Sequence, residues 1–277
     1  MKYSEIGIQA EGSQPTSKLC VYIQDTTAGF YIKKRPLVLI CPGGGYNHVS
    51  EREGEPVALT FLAMGYHAAV LKYSCAPSQY PTQLLELAKA MCYLKDNAEE
   101  FKIDREKIFV CGFSAGGHLA ASLGCFWDDE IFSKELNISE ADREKKLKPF
   151  GMILGYPVIT SGESAHRDSF RKLLGDRQED SELLNKVSLE NQVSDKMPQT
   201  FIWGTYTDAS VPVENSLLFL SALRKAGVSA EYHLFRAGQH GLSLGTTLTQ
   251  SAEDKHIQPE VNLWVDACRS WLKSVCE

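Results

Sequence analysis

Ile108-Phe109-Val110-Cys111-Gly112-Phe113-Ser114-Ala115-Gly116-Gly117-His118-Leu119-Ala120-Ala121 is the stretch on which the reading of this chain turns. Its first four residues read as a strand and its last seven as the start of a helix. The pentapeptide Gly112-Phe113-Ser114-Ala115-Gly116 therefore occupies the turn between them. A bare Gly-x-Ser-x-Gly pattern is weak, but its strand-turn-helix context gives it a mechanism. The turn is so sharp that the serine backbone is strained, and side chains two positions to either side would strike the neighbouring strand and helix. Glycine at Gly112 and Gly116 removes that clash. The Ser114 hydroxyl then projects above the sheet, with the free N–H groups and positive dipole end of the helix beside it. That is the setting of a nucleophile.

Outward from this turn, short aliphatic runs alternate with longer helical patterns, the signature of a mostly parallel sheet with helices on both faces. Strands are expected over Cys20–Gln24, Pro36–Cys41, His67–Ser74, Lys107–Gly112, Phe150–Tyr156, Thr200–Gly204 and Ala230–Arg236. Leu37-Val38-Leu39-Ile40 is apolar without alternation, as strands covered on both faces are. Leu84, Leu87, Ala88, Met91 and Leu94 recur at helical spacing after Pro81, and Val261, Trp264, Val265, Cys268, Trp271 and Leu272 do so after Pro259. We expect one domain over residues 1–277. Two stretches break the alternation, residues 128–148 and 162–196, and are expected as insertions that form a small cap over the site. For the first, ordinary solvated surface explains its dense charge equally well.

Composition excludes several classes. Length and hydrophobic content (277 residues, 43%) suffice for a buried core. A formal charge of −6 with no basic stripe argues against a nucleic-acid partner. No run approaches the roughly 20 apolar residues of a membrane span, so no membrane partner is expected. The polar sequence after Met1 does not resemble a signal peptide. The eight cysteines are scattered without a Cys-x-x-Cys pair, which argues against a metal or disulfide framework. Reduced thiols in a cytoplasmic protein are the expectation.

A serine nucleophile needs a base, the base needs an orienting acid, and the developing oxyanion needs donors. The expected donors follow the strand ending at Cys41, in Pro42-Gly43-Gly44-Gly45-Tyr46. Three glycines are costly in chain entropy, and the return is backbone N–H groups open to a ligand. Gly44 and Gly45 are assigned, joined by the N–H of Ala115. A phosphate loop is the competing reading, but neither Gly-x-Gly-x-x-Gly nor Gly-Lys-Ser/Thr is present. Tyr46 and His48 are expected to touch substrate. The acid is assigned to Asp208, after the strand Thr200–Gly204 and before a helix over Val213–Ala226, and the base to His240, after the strand ending near Phe235. The order Ser, Asp, His is the one this strand-turn-helix arrangement uses. The rival acid Asp195 precedes a strand and belongs at the opposite edge. His118 is expected to pack beneath the elbow, and His67, His166, His233 and His256 carry no spacing argument.

Together these blocks, with Ser50-Glu51-Arg52-Glu53-Gly54-Glu55-Pro56-Val57-Ala58, Asp208-Ala209-Ser210-Val211-Pro212-Val213-Glu214-Asn215-Ser216 and His240-Gly241-Leu242-Ser243-Leu244, resemble the α/β-hydrolase esterases described as acetylesterases or acetyl-xylan-esterase-like proteins, relatives of the hormone-sensitive-lipase group. The resemblance runs from about Leu37 to the C-terminus. Two departures stand out: Pro42 stands where that group has histidine before the glycines, and Gly204 and Thr207 stand where related esterases carry histidine and a second aspartate.

The resemblance implies an α/β-hydrolase fold and hydrolysis of short-chain, most readily acetyl, esters of sugars or oligosaccharides, with no cofactor or metal. A prolyl-oligopeptidase-like peptidase shares the triad order, but no propeller or other gating domain is visible in the sequence. A catalytically inactive ligand-binding relative is disfavoured by the intact triad.

Overall fold

The computed structural model describes residues 1–27, 29–252 and 256–277. Among them, eight strands pair into one sheet in the order β1-β2-β4-β3-β5-β6-β7-β8. They are β1 (Lys2–Gly7), β2 (Lys18–Ile23), β3 (Arg35–Cys41), β4 (His67–Lys72), β5 (Ile103–Phe113), β6 (Gly151–Gly155), β7 (Gln199–Thr205) and β8 (Ala230–Phe235). From β4 to β8 the pairing is parallel, while β2 runs antiparallel to both β1 and β4.

The central parallel strands β3, β5 and β6 carry unbroken buried apolar runs over residues 37–41, 108–111 and 152–154, because both faces are covered there. Leu37, Leu39, Ile108, Val110, Met152 and Leu154 enter the core on one face. Their alternates Val38, Ile40, Phe109, Cys111, Phe113 and Ile153 enter the core on the other. A period of two in side-chain direction with apolar residues at every position leaves no face for water.

Ahead of β6 the chain carries helices α1 (Glu55–Ala63), α2 (Thr82–Asp96), α3 (Ala98–Phe101), α4 (Ser114–Phe126), α5 (Ile131–Leu136) and α6 (Glu140–Leu147). After β6 come α7 (Arg167–Leu174), α8 (Ser181–Lys186), α9 (Glu214–Lys225) and α10 (Leu263–Cys276). In α10, Trp264, Val265, Cys268, Trp271 and Leu272 are the buried residues, as the helical spacing predicts. No helix of the described residues is long and apolar enough to cross a membrane. All eight cysteines are free thiols.

Most strand ends differ from expectation by one or two residues, and three differences have an identifiable cause. The strand beginning at His67 stops at Lys72, because the Ser74 N–H and hydroxyl are taken by the buried carboxylate of Glu86. The central strand β5 begins at Ile103, pairing Ile103 with Arg35 across a register shift. The edge strand β1 has no counterpart in the sequence reading: it pairs only with β2 and is mostly exposed, so it carries no apolar pattern.

The two irregular stretches go to different places. Helix α4 starts at Ser114 and spans 13 residues, about 20 Å of rise, and so delivers the chain to the edge opposite the serine. Residues 128–148 emerge there, and α5 and α6 pack on α2 with Phe132 and Leu147 buried. None of them lines the pocket described below. The stretch 162–196 follows the C-terminal end of β6 and places α7 beside the serine.

Candidate active site

Ser114 sits at the end of β5 with φ of 52°, a left-handed conformation that costs a non-glycine residue energy. The surrounding glycines permit it. A Cβ on Gly112 would collide with the carbonyl of Gly116, and one on Gly116 with the carbonyls of Cys41 and Pro42. Strand β3, the elbow and the first turn of α4 are thus packed backbone to backbone, and Ser114 is held at a pocket wall.

The structure brings Ser114, His240 and Asp208 together from three loops at the C-terminal edge of the sheet. His240 Nε2 lies 2.7 Å from Ser114 Oγ, and His240 Nδ1 lies 2.7 Å from Asp208 Oδ2. Asp208 Oδ1 accepts the backbone N–H groups of Ser210 and Val211, each at 2.9 Å. With its side chain only 2% exposed, this carboxylate is spent entirely on local donors and on the imidazole. Acceptance at Nδ1 by an ionised carboxylate leaves Nε2 as the acceptor for the serine hydroxyl. Asp195 is exposed, ahead of β7 and away from this cluster.

The glycine loop faces the same pocket. Gly44 and Gly45 have φ of 120° and 63°, and both line the pocket with Ser114. A Cβ on Gly44 would collide with the carbonyl of His48. Ala115, in the first turn of α4, has a backbone N–H outside the helix ladder. The N–H of Gly43 is already engaged, donating to Glu53 Oε2 at 2.7 Å.

Glu53 is a residue the sequence reading did not single out. It is 3% exposed, and its other oxygen accepts the Tyr156 hydroxyl at 2.6 Å. The Tyr156 hydroxyl in turn accepts the N–H of Ser243 at 2.9 Å, and its ring packs edge-on to His240 with centroids 5.0 Å apart. One buried carboxylate therefore ties the glycine loop to the histidine loop. Arg52 adds a second tie, donating to the carbonyls of Gly241 at 2.9 Å and Thr249 at 2.6 Å. In the sequence, Glu51-Arg52-Glu53 falls inside the block of residues 50–58 that carries the resemblance, and nothing there set Glu53 apart from its charged neighbours.

Tyr46 corrects an expectation. Its φ of 58° turns the side chain inward, where it is 1% exposed and its hydroxyl lies 2.8 Å from His118 Nδ1. It does not line the pocket. His118 bonds the Val187 carbonyl through Nε2 at 2.8 Å, and burial pushes its pKa down to about 4. The carbonyl only accepts, so Nε2 carries the proton and Nδ1 accepts from tyrosine. His48, by contrast, is exposed and lines the pocket.

The pocket encloses about 680 Å³. Its rim includes His166, Asp168, Arg171 and Lys172 of the 162–196 stretch. His166 caps α7 and bonds Ser169 Oγ through Nδ1 at 2.9 Å. Burial, with His240 nearby, lowers its pKa below the usual histidine range. Among the described lining residues there is no Leu, Ile, Val, Met, Phe, Tyr or Trp. No group of three or more His, Cys, Asp or Glu among the described residues is arranged to hold a metal ion.

The BD-FAE family model matches residues 27–223, more than half of the chain. The chain belongs to the BD-FAE family. Its fold is the α/β-hydrolase fold. This BD-FAE protein is 40% identical over 215 residues to endo-1,4-beta-xylanase B of Butyrivibrio fibrisolvens, a match covering 76% of the chain and 33% of the relative. It is 27% identical over 239 residues to the acetylxylan esterase of Xylanibacter ruminicola, covering 84% and 44%. Among solved structures, the acetyl ester-xyloside bifunctional hydrolase from Caldicellulosiruptor lactoaceticus superposes with a TM-score of 0.80 at 37% identity, covering 94% of this chain and 88% of that one. The chain spans between a third and about half the length of the curated relatives it matches.

Proposed function

We propose that this BD-FAE protein is a serine carboxylic-ester hydrolase, with Ser114 as nucleophile, His240 as general base and Asp208 as the orienting acid. The observation that carries this reading is the single imidazole within 2.7 Å of both the serine hydroxyl and the buried carboxylate. Ser114 Oγ attacks the ester carbonyl as its proton passes to His240 Nε2. Asp208 holds the tautomer and stabilises the imidazolium. The oxyanion takes hydrogen bonds from the N–H groups of Gly44, Gly45 and Ala115. Collapse expels the alcohol, protonated by His240. Water then attacks the acyl-serine by the same route, with no cofactor or metal taking part.

The substrate we propose is a short acyl ester, foremost acetyl, of a sugar or oligosaccharide. A long acyl chain gains about 25 cal/mol per Å² of apolar surface buried, and the described pocket wall has no Leu, Ile, Val, Met, Phe, Tyr or Trp side chain to pack along one. The polar side chains of His48, His166 and Lys172 suit a hydroxylated leaving group. The names of the relatives, which speak of acetylxylan and of acetyl ester-xyloside, support the same class. The stretch 162–196 serves as the cap of a single α/β-hydrolase domain, and the free thiols suit the reducing cytoplasm.

The test begins with a fluorophosphonate probe and p-nitrophenyl acetate. The protein labels and turns over the ester, and Ser114→Ala abolishes both while melting like the parent. Retained activity in that variant would remove Ser114 from the mechanism, and absence of labelling in the parent would favour a ligand-binding role. Turnover of an aminoacyl-p-nitroanilide in place of the acetate would favour a peptidase. Steadily rising kcat/KM from acetate to octanoate would overturn the short-acyl assignment.

A further inference from the structure

A second cavity of about 580 Å³, unused by the chemistry above, opens beside the pocket. Its floor is the sheet face where Tyr3 of β1 pairs with Tyr22 of β2 and Cys20 of β2 pairs with Val70 of β4. Its far wall comes from the segment Glu51–Pro56. Ser50 and Arg52 line both cavities, so the two lie side by side across a shared wall, with Ser114 on the pocket side. We propose that this second cavity is a subsite for the unacylated sugar units of an oligosaccharide substrate whose acetylated unit sits at Ser114. The inference rests on the sugar-ester reading above and extends it to a place on the molecule.

The chemistry of the walls argues for a carbohydrate. A sugar ring presents an apolar C–H face together with hydroxyls that both donate and accept. The Tyr3 ring is half exposed, and it is held as a platform. Its hydroxyl donates to Glu5 Oε1 at 2.6 Å, and its ring packs on Tyr22 with centroids 5.0 Å apart. A ring fixed in advance loses little entropy when a ligand covers it. Around it stand acceptors, Glu51 and Glu55, and donors, Arg52 and Lys72. Groups of both signs at one rim match neutral hydroxyls better than they match a net charge. The volume also falls in the range of about 300–1,000 Å³ typical of small-molecule sites.

Contacts remote from the reacting bond raise kcat/KM by helping to hold the ester at the nucleophile. For the parent, kcat/KM on acetylated xylo-oligosaccharides therefore climbs about tenfold as the chain lengthens from one unit to several. In Tyr3→Ala that climb flattens, while p-nitrophenyl acetate, too short to reach the cavity, is turned over as by the parent. Tyr3→Phe keeps the ring and restores the climb. Calorimetric titration of Ser114→Ala with an unacetylated xylo-oligosaccharide detects binding that Tyr3→Ala, added to that variant, weakens by a similar factor. Deacetylation with no length dependence in the parent, or an unchanged climb in Tyr3→Ala, overturns the subsite alone. Turnover of p-nitrophenyl acetate without deacetylation of any sugar overturns the sugar-ester reading and the subsite with it.

Discussion

At the scale of single residues, the two aspartates that competed for the acid role now differ in surroundings, not only in order along the chain. Asp208 is buried and accepts three donors, His240 among them, whereas Asp195 is exposed. Asp208→Asn inverts what the imidazole meets at Nδ1 and is expected to lower kcat by about 10⁴, with Asp195→Asn near the parent; steady-state kinetics on p-nitrophenyl acetate ranks them. Glu53 has a different part. Glu53→Gln keeps the shape but substitutes an amide donor for one of two carboxylate oxygens. One of the two incoming donors, Gly43 N–H or Tyr156 O–H, then loses its acceptor. A lost charge-assisted bond costs about 1.5–3 kcal/mol. Thermal melting should show the loss of stability, and kcat should fall with little change in KM, since the glycine and histidine loops shift relative to each other.

At the scale of elements, α10 matters to the site although none of its residues lines the pocket. Trp264 is fully buried, stacks on Trp203 with centroids 5.1 Å apart at 10°, and donates its Nε1–H to the Ser243 carbonyl at 2.9 Å. The helix therefore supports the loop that follows His240. Removing so large a side chain from a core costs about 3–5 kcal/mol, so Trp264→Ala should show that loss in denaturant titration. Trp264→Phe retains most of the packing but not the hydrogen bond, and its loss should be smaller. Equal losses would mean that the bond to Ser243, not packing, is what α10 contributes. The C-terminal helix was legible in the sequence from its apolar spacing, and its docking face follows from the same residues. That it braces the histidine loop was not, because the bond from Trp264 to Ser243 joins residues 21 apart in the chain.

At the scale of the whole molecule, two buried histidines contribute to the response to acid. His118 and His67 are both held neutral by a pattern in which one ring nitrogen accepts and the other donates to a carbonyl. Burial lowers each pKa to about 4 from an ordinary value of 6.5. The unfolded chain then binds protons that the folded chain refuses, so stability is full above pH 6.5 and is lost as pH falls towards 4. For His118 alone the loss at pH 5 is about 2 kcal/mol. Urea unfolding at pH 7.5 and pH 5 should show this decline, and His118→Gln should reduce it; an unchanged slope would place the acid sensitivity elsewhere.

The elbow around Ser114, the central strands and the chain order of serine, aspartate and histidine could all be read from the sequence. Each is encoded locally, in glycines that relieve a clash two residues away or in apolar runs that need cover on both faces. Tertiary structure alone decided the rest. Tyr46 turns inward because His118, 72 residues on, offers it a partner. Glu53 is buried because Gly43, Tyr156 and, through it, Ser243 converge on it. Residues 128–148 fall at the far edge because α4 must first carry the chain down the sheet, and β1 exists only because β2 offers it an edge. A local pattern can be inferred from neighbours in the chain, but a hydrogen bond between distant residues becomes available only when the packed core has brought its partners together.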